Sequence, residues 1–105
     1  MVKKTIIRKL MRYKRVLEEN GIPVVHLIVF GSCVQGKQTS ESDIDVCIVS
    51  GKLGKNRIEE GKKLFLLAIQ VDPLIEPVAY SVNQYRRDRI SPLLHEIRNS
   101  GYKIL

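Results

Sequence analysis

The sequence predicts an α/β (α+β) fold: a small β-sheet flanked by helices. Two observations carry this. Val24–Phe30 is a nearly unbroken apolar run, and Asp43–Val49 is another that opens on acids. Such strands suit a sheet covered by helices on its faces. Around them lie segments whose apolar residues recur every three or four positions, bounded by helix start and stop signals. With 105 residues, the chain is expected to form one domain over 1–105, with residues 1–20 an N-terminal basic amphipathic helix and 22–105 the core. No repeat or low-complexity segment interrupts it.

The elements follow in order. Residues 3–19 read as the first helix, with Ile6, Leu10, Tyr13 and Leu17 on its inner face and Ile7 and Met11 beside them. Asn20-Gly21 closes it and Pro23 prevents its return. The strand Val24–Phe30 contains His26, which reads as a packed residue rather than a ligand. A short helix or turn is expected after Gly31, and Ser40, Glu41 and Ser42 lead into the strand Asp43–Val49. Asn56 and Glu59 resemble a capping box opening a helix over about 57–71, with Ile58, Phe65, Ala68 and Ile69 on one face. Pro73 stops that helix. Leu74–Val82 reads as a third strand, placed at an edge by Pro77. Ser91-Pro92 starts a last helix with Leu93, Leu94 and Ile97 inward. Gly101 ends it, and Tyr102–Leu105 forms a final short strand.

Charge is distributed unevenly. The net charge is +7, and Lys3, Lys4, Arg8, Lys9, Arg12, Lys14 and Arg15 all fall in the first 15 residues, with no acid among them. The remaining chain has 18 − 7 = 11 basic and 11 acidic residues. The basic helix suits nucleic acid, an acidic partner or solubility. No aromatic residues are interleaved on it for base stacking. Cys33 and Cys47 lack zinc-site spacing, and Cys47 reads as a reduced core residue. The apolar runs are too short to span a membrane, and no signal-peptide pattern is present. A cytoplasmic protein is expected.

The stretch that organises the chain is FGSCVQGKQTSESDIDVCIV, Phe30 to Val49. Asp43 and Asp45 are two apart, so on a strand they point to one face. Two like charges that close repel, and a divalent cation between them removes the conflict. Gly31-Ser32, leaving the preceding strand, offers backbone N–H groups and a hydroxyl to a phosphate. The pattern reads as a metal–nucleotide site.

Gly31-Ser32, ten residues, then Asp43-Ile44-Asp45 resembles the nucleotidyltransferase superfamily of the DNA polymerase β type. The size, the segment VDPLIEPVAYS and the tail SPLLHEIRNSGYKI are similar to its minimal nucleotidyltransferases, small proteins often paired with helical HEPN partners. The resemblance covers about residues 22–104. It implies a small mixed sheet flanked by helices, with residues 22–105 as the catalytic core. It also implies a third carboxylate on the next strand. Glu76 is preferred and Asp72, just before Pro73, is the alternative. Many members carry an arginine soon after Gly-Ser. Here Cys33, Val34 and Gln35 occupy those positions, and Lys37 is the first basic residue.

The activity implied is Mg²⁺-dependent transfer of a nucleoside monophosphate, AMP from ATP, to a hydroxyl. Asp43, Asp45 and Glu76 would be catalytic and hold one or two Mg²⁺ ions. Gly31, Ser32 and Lys37 would bind the nucleotide. The core is expected to take up nearly all of these residues, which implies that an open surface, a second subunit or a partner protein holds the acceptor. The expected partner is a HEPN-type toxin, with this chain as antitoxin. The alternatives are a non-catalytic module of the same fold that neutralises a partner by occlusion, or a transferase acting on RNA or a small molecule.

Overall fold

In a computed structural model that describes residues 2–37, 39 and 41–105, the described residues form a four-stranded mixed sheet with helices on both faces. The order of elements is α1 (Lys4–Glu19), β1 (His26–Phe30), α2 (Ser32–Gln35), β2 (Ile44–Val49), α3 (Arg57–Ile69), β3 (Ile75–Tyr80), α4 (Val82–Arg87), α5 (Pro92–Ser100) and β4 (Tyr102–Lys103). The strands lie in the order β3-β2-β1-β4. β1 is antiparallel to β2 and to β4, and β2 runs parallel to β3. The mixed α+β architecture expected from the sequence is present. Ser40, part of the expected lead into β2, lies outside the described residues.

Alternation along the strands divides the core between the two faces. Leu27, Val29, Ile44, Val46, Ile48 and Ile75 point to one face and pack with Ile6, Leu10, Tyr13 and Leu17 of α1 and Leu64, Leu67 and Ala68 of α3. Tyr13 is fully buried there and its hydroxyl donates to the Leu64 carbonyl at 2.8 Å, fastening α1 to α3. Ile28, Phe30, Cys47, Val49 and Tyr80 point the other way, where Leu94 and Ile97 of α5 cover them. Burial pushes the Cys47 thiol up to about 12, as fits an inert core residue. Arg98 donates to the Tyr85 carbonyl and lies over the Tyr85 ring at 5.6 Å, joining α5 to α4. No helix among the described residues is long and apolar enough to cross a membrane.

Several expectations are corrected. Val24 and Val25 precede β1, although Val25 N still donates to Val49 O at 2.8 Å. α3 buries Leu64, Leu67 and Ala68, whereas Ile58, Phe65 and Ile69 are 72%, 49% and 44% exposed. The run Leu64-Phe65-Leu66-Leu67-Ala68-Ile69 is apolar all round, so periodicity alone permits more than one inner face. Asn56 caps α3 by accepting from Glu59 N, but the returning carboxylate is Glu60, which binds the N–H groups of Gly54, Lys55 and Asn56. Leu93 is exposed, and Leu94 and Ile97 carry the inner face of α5. The third strand ends at Tyr80, and Val82 begins α4 instead. The signal for α4 is Ser81 with Gln84 three residues on, a complete capping box in which Ser81 Oγ accepts from Gln84 N and Gln84 Oε1 accepts from Ser81 N.

The α1–α3 contact sets a first expectation. Tyr13→Phe loses one buried hydrogen bond and should lower the unfolding free energy by about 1 kcal/mol. Leu10→Ala, at a site with no exposure, should cost about 2–5 kcal/mol. Urea denaturation of both variants checks the order.

Candidate active site

Asp45 sits at the level where three strands meet the end of β1. It is paired in register with Phe30 of β1 on one side and with Glu76 of β3 on the other. Both acids occupy the face that α4 and α5 only partly cover. Pairing in a parallel ladder places neighbouring strands about 4.8 Å apart, so the two carboxyls stand side by side. Asp43 lies just before β2, exposed, on the same side by the two-residue period. Glu96 of α5, half-buried, is near enough to repel Asp45 as well.

Burial, then the charge of Glu76 and hydrogen bonding to it, raise the Asp45 carboxyl from 3.8 to about 6, with smaller repulsions from Asp43 and Glu96. A carboxylate held this way is an uncompensated negative centre. Gly31 closes the site from above. It adopts φ 75° and ψ −146°, a backbone conformation open to glycine, and a Cβ there would overlap the Asp45 carboxylate oxygen. The turn at the end of β1 thus touches the acid that begins β2. Ser32 then opens α2, whose first N–H groups have no acceptor within the helix. Cys33 is buried and its thiol donates to the Asp43 carbonyl at 3.7 Å. Burial, and next Asp45, raise that thiol above its ordinary range, with Lys3 acting against them. Lys37 is exposed in the loop after α2, with its backbone N–H donated to Ser32 O.

The two candidates for the third carboxylate separate. Asp72 is bound by the Lys9 ammonium at 2.7 Å and accepts from Leu74 N at 2.8 Å, which together hold it below the usual carboxylate range. It is a turn and ion-pair residue that ties α1 to the entry of β3. Glu76 instead shares with Asp45 a cavity of about 320 Å³, lined also by Gly61, Phe65, Pro77 and Val78. Phe65 and Glu96 were not singled out by sequence. The first looked like core, and nothing distinguishes the second from any acid on an amphipathic helix. His26 lies at the opposite end of β1, against the Leu105 carbonyl and the Tyr85 ring.

Among the described residues no three His, Cys, Asp or Glu side chains converge closely enough to hold a metal unaided. The donor set is nonetheless all carboxylate oxygen, and Asp45 is disfavoured as an anion by burial and by its acidic neighbours. That chemistry fits Mg²⁺, which binds through one or two carboxylates with substrate phosphates and water completing its shell.

Residues 10–94 match the model of the nucleotidyltransferase domain family. The chain belongs to that family. A protein from Methanocaldococcus jannaschii that bears the name "putative protein adenylyltransferase" is 31% identical over 94 residues, covering 81% of this chain. The chain spans 60% of the length of that relative. Among solved structures, one described as a toxin–antitoxin with AMP-PNP matches with a TM-score of 0.61 and 24% identity, over 94% of this chain and 72% of that one. A "putative nucleotidyltransferase" from Sulfolobus solfataricus matches with a TM-score of 0.55 and 16% identity, over 96% and 86%. Both structures share the nucleotidyltransferase fold with this chain.

Two outcomes test the assignment of the acids. Asp72→Ala should destabilise the fold by about 1–2 kcal/mol, through loss of the Lys9 pair and the Leu74 cap, whereas Glu76→Ala, exposed and repelled, should not. Thermal unfolding of the two variants distinguishes them. Asp45 supplies a pH dependence. Its folded-state pKa lies above the unfolded value, so the folded chain binds the extra proton between 3.8 and about 6, and stability falls as pH rises through that window. Asp45→Asn should abolish this fall. At neutral pH it should be more stable than the parent by on the order of 1 kcal/mol, allowing for solvent screening of a partly exposed group.

Proposed function

We propose that this protein is a Mg²⁺-dependent nucleotidyltransferase that moves AMP from ATP to a hydroxyl of a partner protein, and that it serves as the antitoxin of a toxin–antitoxin pair in the cytoplasm. The observation that carries the chemistry is the register pairing of Asp45 with Glu76 beneath Gly31, with Asp43 two residues before. The partner and the nucleotide are supported by the relatives: one is named an adenylyltransferase of proteins, and the other is a toxin–antitoxin with AMP-PNP. A HEPN-type toxin is the partner that the family resemblance favours.

In this reading Asp43 and Asp45 hold the cation, with Glu76 contributing to its shell. When bound, Mg²⁺ supplies charge neutralisation at the phosphates and a more acidic acceptor hydroxyl. The chain's own groups do the positioning. Ser32 and the N–H groups opening α2 donate to phosphate oxygens, and Gly31 lets the backbone approach them. Lys37, exposed just after α2, would offer its positive charge to the pyrophosphate. Glu76 accepts the proton of the attacking hydroxyl. The hydroxyl oxygen bonds to the α-phosphorus, the bond from that phosphorus to the bridging oxygen breaks, and pyrophosphate leaves. Positioning and charge stabilisation account for the catalysis.

A second reading is a module that neutralises its partner by occlusion. It is favoured by the lack of an arginine at Cys33, Val34 and Gln35, which leaves Lys37 as the nearest cation in the turn. ATP labelled at the α-phosphate, incubated with Mg²⁺, the protein and its host lysate, separates the two. Label on a protein that drops at least about a hundredfold with Asp43→Asn supports transfer, since removing one charge-stabilising group costs on that order. A partner retained equally by parent and Asp43→Asn, with no label on it, replaces transfer by occlusion.

A further inference from the structure

The basic charge of α1 has no role in the proposed transfer. Ile6, Leu10, Tyr13 and Leu17 bury one face of this helix. At 100° per residue, Lys4, Arg8, Arg12 and Arg15 fall within a stripe, an arc of about 80° on the opposite side, with Met11 at its edge. All five are exposed. Among the described residues, none of the four cations forms an ion pair. Lys9 and Lys14, which flank the stripe, are engaged by Asp72 and Glu18. The stripe runs about 17 Å, from residue 4 to residue 15 at 1.5 Å per residue. Glu18 and Glu19 end it.

The arrangement works against the helix itself. A helix N-terminus carries partial positive charge and favours acids, while its C-terminus favours bases. α1 has no acid in its first turn, no base in its last, and no side-chain cap at Lys3. Lys3 and Lys4 stand at the positive end, and Glu18 and Glu19 at the negative end. Helix stability therefore does not account for the pattern. A polyanion laid along the stripe would relieve both the mutual repulsion and the dipole conflict.

We propose that the outer face of α1 binds the phosphate backbone of single-stranded RNA, without sequence preference. A protein partner would be expected to use an apolar anchor, and Met11 is the only apolar side chain in the stripe. The cations span an arc of about 80°, under a quarter of the helix circumference, so the stripe follows one backbone rather than the two that border a duplex groove. Three of its four cations are arginines, whose planar fork matches phosphate. With no aromatic side chain in it, the stripe grips backbone and does not read bases. Its N-terminal end lies beside the loop into Asp43, since Lys3, Thr5 and Lys9 line a cavity with Thr39, Ser42 and Ile44. The carboxylate site lies on the opposite face of the sheet from α1, so the stripe is a separate surface. The proposal does not depend on that site being active.

The test is fluorescence anisotropy of the full chain with a fluorescein-labelled oligouridylate over a salt series. Four phosphate contacts on a single strand predict a slope of log K against log salt of about −3. The triple variant Arg8→Gln, Arg12→Gln, Arg15→Gln should weaken binding at low salt at least about tenfold and flatten the slope to about −1. Thermal unfolding confirms that this surface variant is folded. A control with the same loss of charge elsewhere, Arg86→Gln, Arg87→Gln, Arg89→Gln, should stay within about twofold of the parent, as expected for phosphate contacts confined to α1. Equal loss in both variants would assign binding to net charge and overturn the proposal. So would tighter binding of duplex DNA, or equal competition by poly-glutamate, which would indicate an acidic protein segment instead.

Discussion

The close approach of Gly31 to the Asp45 carboxylate is the constraint on which the site depends. β1 and β2 are antiparallel neighbours joined through α2, and the chain must turn directly over the first residues of β2. The turn is possible because position 31 has no side chain and takes a positive φ. Ser32 and α2 follow this contact directly in the chain. The proposed phosphate-binding and cation-binding groups are therefore neighbours through one backbone feature.

Below that turn, two acids are held beside one another on parallel strands. Burial of Asp45, and next the charge of Glu76, disfavour the ionised carboxylate and raise its pKa to about 6. The fold tolerates this arrangement because both faces of the sheet are packed elsewhere. One face is closed by α1 and α3, fastened through Tyr13 and Leu64. The other is closed by α5 only where Ile28, Phe30, Cys47, Val49 and Tyr80 lie, leaving the end with Asp45 and Glu76 open. An electrostatically unfavourable cluster at an open sheet end is what a cation and a polyphosphate would satisfy.

Asp72 and Glu76 show how little separates a structural acid from a candidate catalytic one in sequence. They are four residues apart, both next to a proline or close before one. Asp72 has a lysine partner 63 residues away on α1 and a cap to fill at Leu74. Glu76 has neither, and its ladder partner is Asp45. Partners decide the roles, and partners distant in sequence are brought close only by the fold.

Local chemistry was legible in the sequence. The helical spacing of α1, the unbroken apolar strands, the caps at Asn56 and Ser91, the edge position implied by Pro77, and the spacing from Gly31-Ser32 to Asp43 and Asp45 each rest on neighbours within a few residues. These were enough for the fold class and for proposing Asp43 and Asp45, while Glu76 came from the family resemblance. What lay beyond reach depended on packing across the chain. The inner face of α3 was misread because Leu64 to Ile69 is apolar on every side, and contact with Tyr13 and the sheet selects Leu64, Leu67 and Ala68. The Lys9 partner of Asp72, the pairing of Asp45 with Glu76, the raised Asp45 pKa and the approach of Glu96 depend on side chains that meet only when α1, β3 and α5 fold around β2. Sequence specifies which groups are available, and tertiary structure decides which of them share a charge environment, because electrostatic coupling falls with distance in space and not along the chain.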